Sequence, residues 1–315
     1  MIRATIKERM HPRNRFRMGY DFQRLGAANP SLAAFVRPNA YGDASIDYAD
    51  PRAVKALNQA LLKDAYGLQG WDVPEGYLCP PIPGRSDYVH SVADLLSGGK
   101  ESAIPRGPSV RVLDIGMGAN VIYPLIGASE YGWSFVGSEV DPRALRWASK
   151  LIASNPAVAD RIECRLQPNP RDTFKGIVQP GEIFDVSMCN PPFHGSAAEA
   201  MAGNERKRRN LGAPKTSDQA LNFGGRAAEL WCPGGELGFV LRMIAQSAEF
   251  RDQCRWFTTL VSKSALLPRL HEVLGEVGAR DARVIEMAQG QKQSRLLAWT
   301  FNPGKGALTE SRTRL

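Results

Sequence analysis

The sequence predicts an α/β protein. A doubly wound, mostly parallel sheet should occupy residues 109–302, preceded by an N-terminal extension over 1–108 and followed by a tail over 303–315. Three observations carry this reading. From residue 109 onward, apolar runs of strand length alternate with stretches of helical period, the pattern of such a sheet. Val110 to Gly118 is a run of branched apolar residues that enters a glycine-rich turn. Phe184 to Cys189 is a second apolar run, and it stops at Asn190-Pro191-Pro192-Phe193, where the prolines hold the chain extended and non-helical.

Within the extension, Ala53 to Leu62 is amphipathic at helical spacing, with Asp50 as cap and Pro51 in the first turn. Trp71 to Arg85 is studded with Pro and Gly and should be an irregular segment leading to a helix near Asp87 to Leu96. Ser97 to Pro108 reads as a linker. Strands are then expected near 110–114, 134–138, 162–166, 184–189, 235–241, 255–261, 282–287 and 295–301, with an apolar helix-like stretch from Ala119 to Ala128. A Gly/Gln-rich turn at Gln289 to Gln293 joins the last two strands. No internal repeat or low-complexity tract interrupts the pattern.

A chain of 315 residues can bury a full core without disulfides. Its cysteines, at 79, 164, 189, 232 and 254, contain no Cys-x-x-Cys, and an odd number suits a reducing compartment. The histidines at 11, 90, 194 and 271 lack ligand spacing, so no metal site is expected. The first residues have no apolar signal core and no stretch is long enough to span a bilayer, which leads to the expectation of a cytoplasmic protein without a membrane partner. A net charge of +8 and a pI near 9.4 favour a polyanionic partner.

The chemistry is carried by three turns. Gly116 and Gly118 let the backbone approach a ligand with no Cβ in the way, and Asp114 at the strand end can orient the loop or meet a cationic ligand group. Val121 stands where a dinucleotide fingerprint needs a third glycine, which disfavours a pyrophosphate site and an oxidoreductase. Glu139 ends the next strand, where a carboxylate suits ribose hydroxyls. In Asn190-Pro191-Pro192-Phe193, the Asn side-chain oxygen and a proline-locked carbonyl can each accept a hydrogen bond from a planar amine, and the Phe offers a face for a base. Together the three describe an S-adenosyl-L-methionine-dependent amino-methyltransferase.

The segments His11 to Arg15, Pro83 to His90, Leu113 to Gly127, Cys189 to His194, Glu205 to Gly212 and Glu286 to Arg295 resemble the ribosomal RNA large-subunit methyltransferase F family, and they span nearly the whole chain. The chain is similar, too, to a eukaryotic RNA adenine methyltransferase that shares the His-x-Arg-Asn-Arg start and the Asn-Pro-Pro-Phe site. The resemblance implies a Rossmann-like class I methyltransferase fold with an antiparallel closing hairpin. It implies N6-methylation of one adenine of 23S ribosomal RNA, nucleotide 1618 in the usual numbering, with that RNA or a large-subunit assembly intermediate as partner. Arg85, Gly116, Asn120 and Glu139 would meet the cofactor, and Asn190, Pro191 and Phe193 the base. The segment Arg165 to Thr173 should pass the cofactor adenine but matches the family poorly, so no residue there is singled out.

Two basic segments flank this chemistry. The N-terminal arm includes Arg13 and Arg15, with Phe16 and Tyr20 interleaved, and the second is Arg206-Lys207-Arg208-Arg209. Both are candidate RNA-binding segments, the second as a loop that orders on phosphates. His194, directly after the tetrapeptide, is a candidate lining residue. Asn-Pro-Pro followed by an aromatic also serves DNA adenine and protein glutamine acceptors. The paired basic segments favour nucleic acid over glutamine. A non-catalytic RNA-binding assembly factor is the rival of a different class.

Overall fold

The computed structural model describes residues 10–196, 198–199, 230–289 and 292–302. The chain begins with α1 (Phe22–Ala28), capped by the Asp21 side chain, and a short hairpin, β1 (Arg37–Pro38) and β2 (Ala44–Ser45). The helix expected after Asp50 is α2 (Pro51–Tyr66). The Asp50 side chain accepts the Arg52 amide, Pro51 fills the first turn, and Gly67 ends the helix in the left-handed region at φ 70°. Next, α3 (Ile82–Ser97) starts before the expected Asp87. Arg85 therefore stands on a helix and not in an irregular segment, because Pro83 is tolerated in a first turn, where its missing N–H costs nothing.

The main sheet holds β3 (Arg111–Ile115), β4 (Ser134–Glu139), β5 (Ile162–Leu166), β6 (Phe184–Cys189), β7 (Cys254–Val261), β8 (Asp281–Gln289) and β9 (Lys292–Thr300). Their spatial order is β5-β4-β3-β6-β7-β9-β8, parallel from β5 to β7 and antiparallel at β9 and β8. The chain winds outward from β3 first through β4 and β5, then through β6 and β7. The crevice between the carboxyl ends of β3 and β6 is thus a topological switch point, where ligands bind in such sheets. Connecting helices are α4 (Ile122–Tyr131), α5 (Pro142–Ala153), α6 (Pro156–Ala159), α7 (Gly235–Ser247) and α8 (Leu267–Glu276).

One expected strand is absent. Residues 235–241 form the first half of α7, and the side chains it buries, Glu236, Val240, Met243, Ile244 and Ser247, follow the helical period. Gly234 and Gly235, at φ 82° and 59°, turn the chain into the helix. The apolar run Leu237 to Leu241 suits either period, and the buried Glu236 carboxylate decides by accepting the Ser262 amide and hydroxyl beyond β7.

Alternate residues of β3 feed two cores, as a pleated strand must. Val112 packs in one with Leu57, Leu61, Trp71, Ile126 and Trp133, so α2 and the segment after it share a core with the sheet. Leu113 packs in the other with Phe184, Val240, Phe257 and Trp299. The expected linker is fastened as well: Trp133 donates to Pro105 O at 2.8 Å, and the Gly107 amide donates to Tyr131 O.

Candidate active site

The carboxyl ends of β3, β4 and β6 and the faces of α3 and α7 enclose a cavity of about 630 Å³, within the roughly 300–1,000 Å³ of small-molecule sites. The structure brings Arg85, Gly116, Gly118, Asn120, Glu139, Asn190 and Pro192 onto its wall from separate stretches of chain. Pro191 is buried and Phe193 half-buried, and neither belongs to that wall. His194 lies outside it too, pairing through its backbone with Trp231.

The glycine turn is shaped for a close approach. Gly116 and Gly118 take φ of 70° and 66°, and a Cβ on Gly116 would point into open space. Val121, the residue that breaks the dinucleotide fingerprint, is fully buried with φ 50°, a left-handed conformation rare for a β-branched side chain. Asn120 spans this strained step. Its Oδ1 accepts the Ile122 amide at 3.1 Å and its backbone oxygen accepts from the Trp71 indole at 3.0 Å.

Glu139 does more than face the cavity. Its Oε2 accepts the Gly118 amide at 3.0 Å, and its Oε1 accepts the amides of Val140 and Asp141 at 2.8 and 2.9 Å. Burial pushes its carboxyl above the ordinary carboxylate range even though these amides pull the other way. Asp114 is buried with no hydrogen-bond partner for either carboxylate oxygen among the described residues. Desolvation, with some help from the charge of Glu139 and against the pull of Arg85, raises it to about 8. From α3, Arg85 donates to the Tyr123 hydroxyl at 2.6 Å, while its Nε has no partner among the described residues. Burial carries the Tyr123 hydroxyl up to about 12. Asn190 Oδ1 is likewise buried and unpartnered there. Buried polar atoms are normally satisfied, so orphaned atoms on or beside one cavity mark a ligand position.

Several wall residues escaped the sequence reading. Gln167 and the stretch Pro170 to Thr173 form the wall beyond β5, in the segment where no residue could be singled out. Gln246 holds that wall in place: its Oε1 accepts the Thr173, Phe174 and Lys175 amides at 2.7, 2.7 and 3.1 Å, and its Nε2 donates to Asp172 at 2.8 Å. Phe239 and Arg242 reach the cavity from α7, and with Gln246 they repeat at helical spacing on one face. The signal was present in the sequence but hidden by reading 235–241 as a strand.

Of the expected RNA-binding residues, Arg13 is hydrogen-bonded within the fold. It donates to Asp94 at 2.6 Å, Tyr131 at 3.2 Å and His90 O at 3.1 Å, and so fastens the N-terminal segment to α3. Arg15 bonds Glu130 at 2.9 Å and Ala65 O at 2.6 Å, with its guanidinium over the Tyr66 ring. The interleaved Phe16 is a core residue. Arg206, Lys207, Arg208 and Arg209 lie outside the described residues.

A family described as RNA methyltransferase matches residues 4–303. A ribosomal RNA large subunit methyltransferase F of Methylobacillus flagellatus is 55% identical, covering 95% of this chain and 94% of its own. The chain belongs to the ribosomal RNA large-subunit methyltransferase F family. A further member, from Ectopseudomonas mendocina, is 51% identical over 99% of this chain and 95% of its own. Among solved structures, the hMettl16 catalytic domain in complex with MAT2A 3'UTR hairpin 1 aligns with a TM-score of 0.78 at 34% identity, over 93% of this chain and 96% of that one. The N-terminal domain of human METTL16 in complex with SAH aligns at 0.73 and 31%, over 93% and 99%. The mostly parallel sheet with its antiparallel edge is therefore the Rossmann-like methyltransferase fold that the large-subunit methyltransferase F resemblance implied.

Proposed function

We propose that this methyltransferase transfers a methyl group from S-adenosyl-L-methionine to the N6 amine of one adenine in 23S ribosomal RNA, nucleotide 1618 in the usual numbering. The observation that carries the acceptor chemistry is the buried Oδ1 of Asn190 at the cavity wall, directly before two prolines and without a partner among the described residues. A buried acceptor that no described residue satisfies fits an incoming N–H group. Family membership and a structural neighbour solved with an RNA hairpin support RNA as the substrate.

The residues present fit the cofactor. The open cradle at Gly116 admits a ligand against the backbone, Glu139 faces the cavity as a ribose acceptor, and the Asp114 carboxylate, unpartnered among the described residues, matches a cationic amino group. A neighbour solved with SAH supports the same assignment. When bound, S-adenosylmethionine supplies a methyl group on a cationic sulfur.

The adenine amine is a poor nucleophile because its lone pair is delocalised into the ring. In this reading Asn190 Oδ1 and the Pro191 carbonyl each accept one amine proton. That favours a pyramidal nitrogen and aims its lone pair along the line of displacement. The base must leave its stack to enter, and Phe193 recovers roughly 1–3 kcal/mol of that cost by stacking. No strong base is required beforehand, since the proton departs after transfer. Positioning and preorganised polar contacts account for most of the rate. The Arg206 to Arg209 segment holds the RNA through phosphates in the same reading.

The test is methyl transfer to 23S ribosomal RNA from a strain lacking the gene, followed by mass-spectrometric mapping of the labelled nucleotide. The reading expects label on N6 of a single adenine. Label on another base, or on protein, overturns it.

A further inference from the structure

Where β6 runs out, its hydrogen bonding to β7 is completed by side chains. The ladder between the two strands ends at the pair Ser187 and Phe257. Beyond it, Thr258 Oγ1 donates to Ser187 O at 2.7 Å, and the Tyr88 hydroxyl accepts the Cys189 amide at 3.1 Å. The two hydroxyls meet at 2.8 Å. Since the Thr258 proton is used on Ser187, the proton between them belongs to Tyr88. The result is a directional chain from Cys189 N–H through Tyr88 and Thr258 to Ser187 O, each bond strengthening the next. The approach of the Tyr88 hydroxyl to Cys189 O, at 3.4 Å, is the weaker alternative.

Cys189 is the residue before Asn190. Pro191 and Pro192 follow, and neither has an N–H with which to anchor the turn. On one side the strand end is held by β3, through the pair Ile115 and Cys189. On the other side the anchor is Tyr88. Its ring, fully buried, meets the Tyr123 ring edge to face at 5.1 Å, and Tyr123 in turn accepts from Arg85. One side chain on α3 therefore touches both the end of β6 and the aromatic that orients the cavity's arginine.

We infer that Tyr88 is a positioning residue for the methyl-transfer step, setting the Asn190 side chain and Pro191 carbonyl against the cofactor cavity through its bond to the Cys189 amide. The inference rests on the reading of Asn190 and Pro191 as amine acceptors. Tyr88→Phe keeps the ring and the core while deleting the hydroxyl. Thr258→Val breaks the same chain at its other end with a side chain of matching shape, and serves if the first variant does not fold.

The experiment measures three quantities on the full chain. They are single-turnover methyl transfer to deproteinised 23S ribosomal RNA, S-adenosylmethionine affinity by calorimetry, and amide exchange at Cys189 by NMR of protein carrying ¹⁵N-cysteine. The inference expects the transfer rate to fall on the order of 10–100-fold, as displacement of a reacting group by up to about 1 Å can cause. It expects cofactor affinity to stay within about twofold, because Tyr88 itself does not line the cavity and the change leaves the Arg85 bond to Tyr123 in place. Cys189 exchange should accelerate while the other cysteine amides hold. A purely structural Tyr88 lowers the melting temperature and leaves the rate below melting untouched, and that result overturns the inference. Unchanged Cys189 exchange overturns it whatever the activity. Failure of the wild-type protein to methylate the RNA counts against the adenine reading instead, while the exchange arm still decides whether Tyr88 anchors the strand end.

Discussion

The acid at the end of β4 holds the glycine turn at the end of β3: Glu139 Oε2 accepts the Gly118 amide at 3.0 Å. Glu139 therefore shapes the glycine turn as well as facing the cavity. Glu139→Ala should weaken S-adenosylmethionine binding and also destabilise the fold by about 1–3 kcal/mol, since it strands a buried amide. Calorimetric titration paired with thermal melting separates the two effects. A loss of stability with intact cofactor affinity would leave Glu139 with its structural role only.

Asn190→Ala removes the acceptor proposed for the reacting amine, and the single-turnover rate should drop on the order of 10²–10³. RNA and cofactor affinities should change little. Near-wild-type turnover would dispose of the proposed acceptor.

In the proposed site, Asp114 would link cofactor binding to pH. Its carboxyl is raised from the ordinary carboxylate value to about 8, chiefly by burial. The unfolded chain loses this proton near pH 4 whereas the folded chain keeps it. Asp114 thus makes stability fall as pH rises from about 4 to about 8, and contributes no further slope above that. A cationic cofactor group beside it favours the ionised form, so binding at pH 7 should release protons and tighten toward pH 8. Calorimetry in buffers of different ionisation enthalpy measures the release, and Asp114→Asn should abolish it. Binding with no proton release in the wild type would place the cofactor's cationic group elsewhere.

Gln246 touches no catalytic group, yet it collects the Thr173, Phe174 and Lys175 amides that hold the wall beyond β5. Gln246→Ala should lower cofactor affinity by about tenfold or more, the effect of roughly 1.4 kcal/mol, and should expose the segment 168–175 to proteolysis in the free protein. Saturating cofactor should restore both protection and most of the rate. Protection equal to wild type would show that the loop stands without it.

The two basic segments should separate by assay. Replacing Arg206, Lys207, Arg208 and Arg209 with Gln should flatten the log-log salt dependence of single-stranded RNA binding by roughly 0.7 for each phosphate no longer neutralised, at constant melting temperature. Arg13→Gln should do the reverse, lowering the melting temperature because its bonds to Asp94 and Tyr131 go. Filter binding across a salt series and thermal melting check both. An unaltered slope in the quadruple variant would remove the phosphate role from those four residues.

The sequence by itself determined what depends on contiguous residues. The strands at β3, β4, β5 and β6, the cap of α2 at Asp50, the Asp114 to Gly118 turn and the Asn190 to Phe193 tetrapeptide are local patterns of period, turn chemistry and proline geometry, and each was legible where it stands. What local patterns could not decide was settled by burial. Leu237 to Leu241 is too short and too uniformly apolar to distinguish a strand from a helix, and only the core against which Val240, Met243 and Ile244 pack, with the Glu236 contact to Ser262, made it helical. The same limit applied to charge. Local composition places Arg13 in a basic arm, and only folding sets Asp94 and Tyr131, far along the chain, within hydrogen-bonding distance of it. Tyr88, Tyr123, Gln167 and Gln246 acquire their roles only when remote segments meet at the crevice between β3 and β6. A side chain's partners across such separations are fixed by tertiary packing, and no local spacing encodes them.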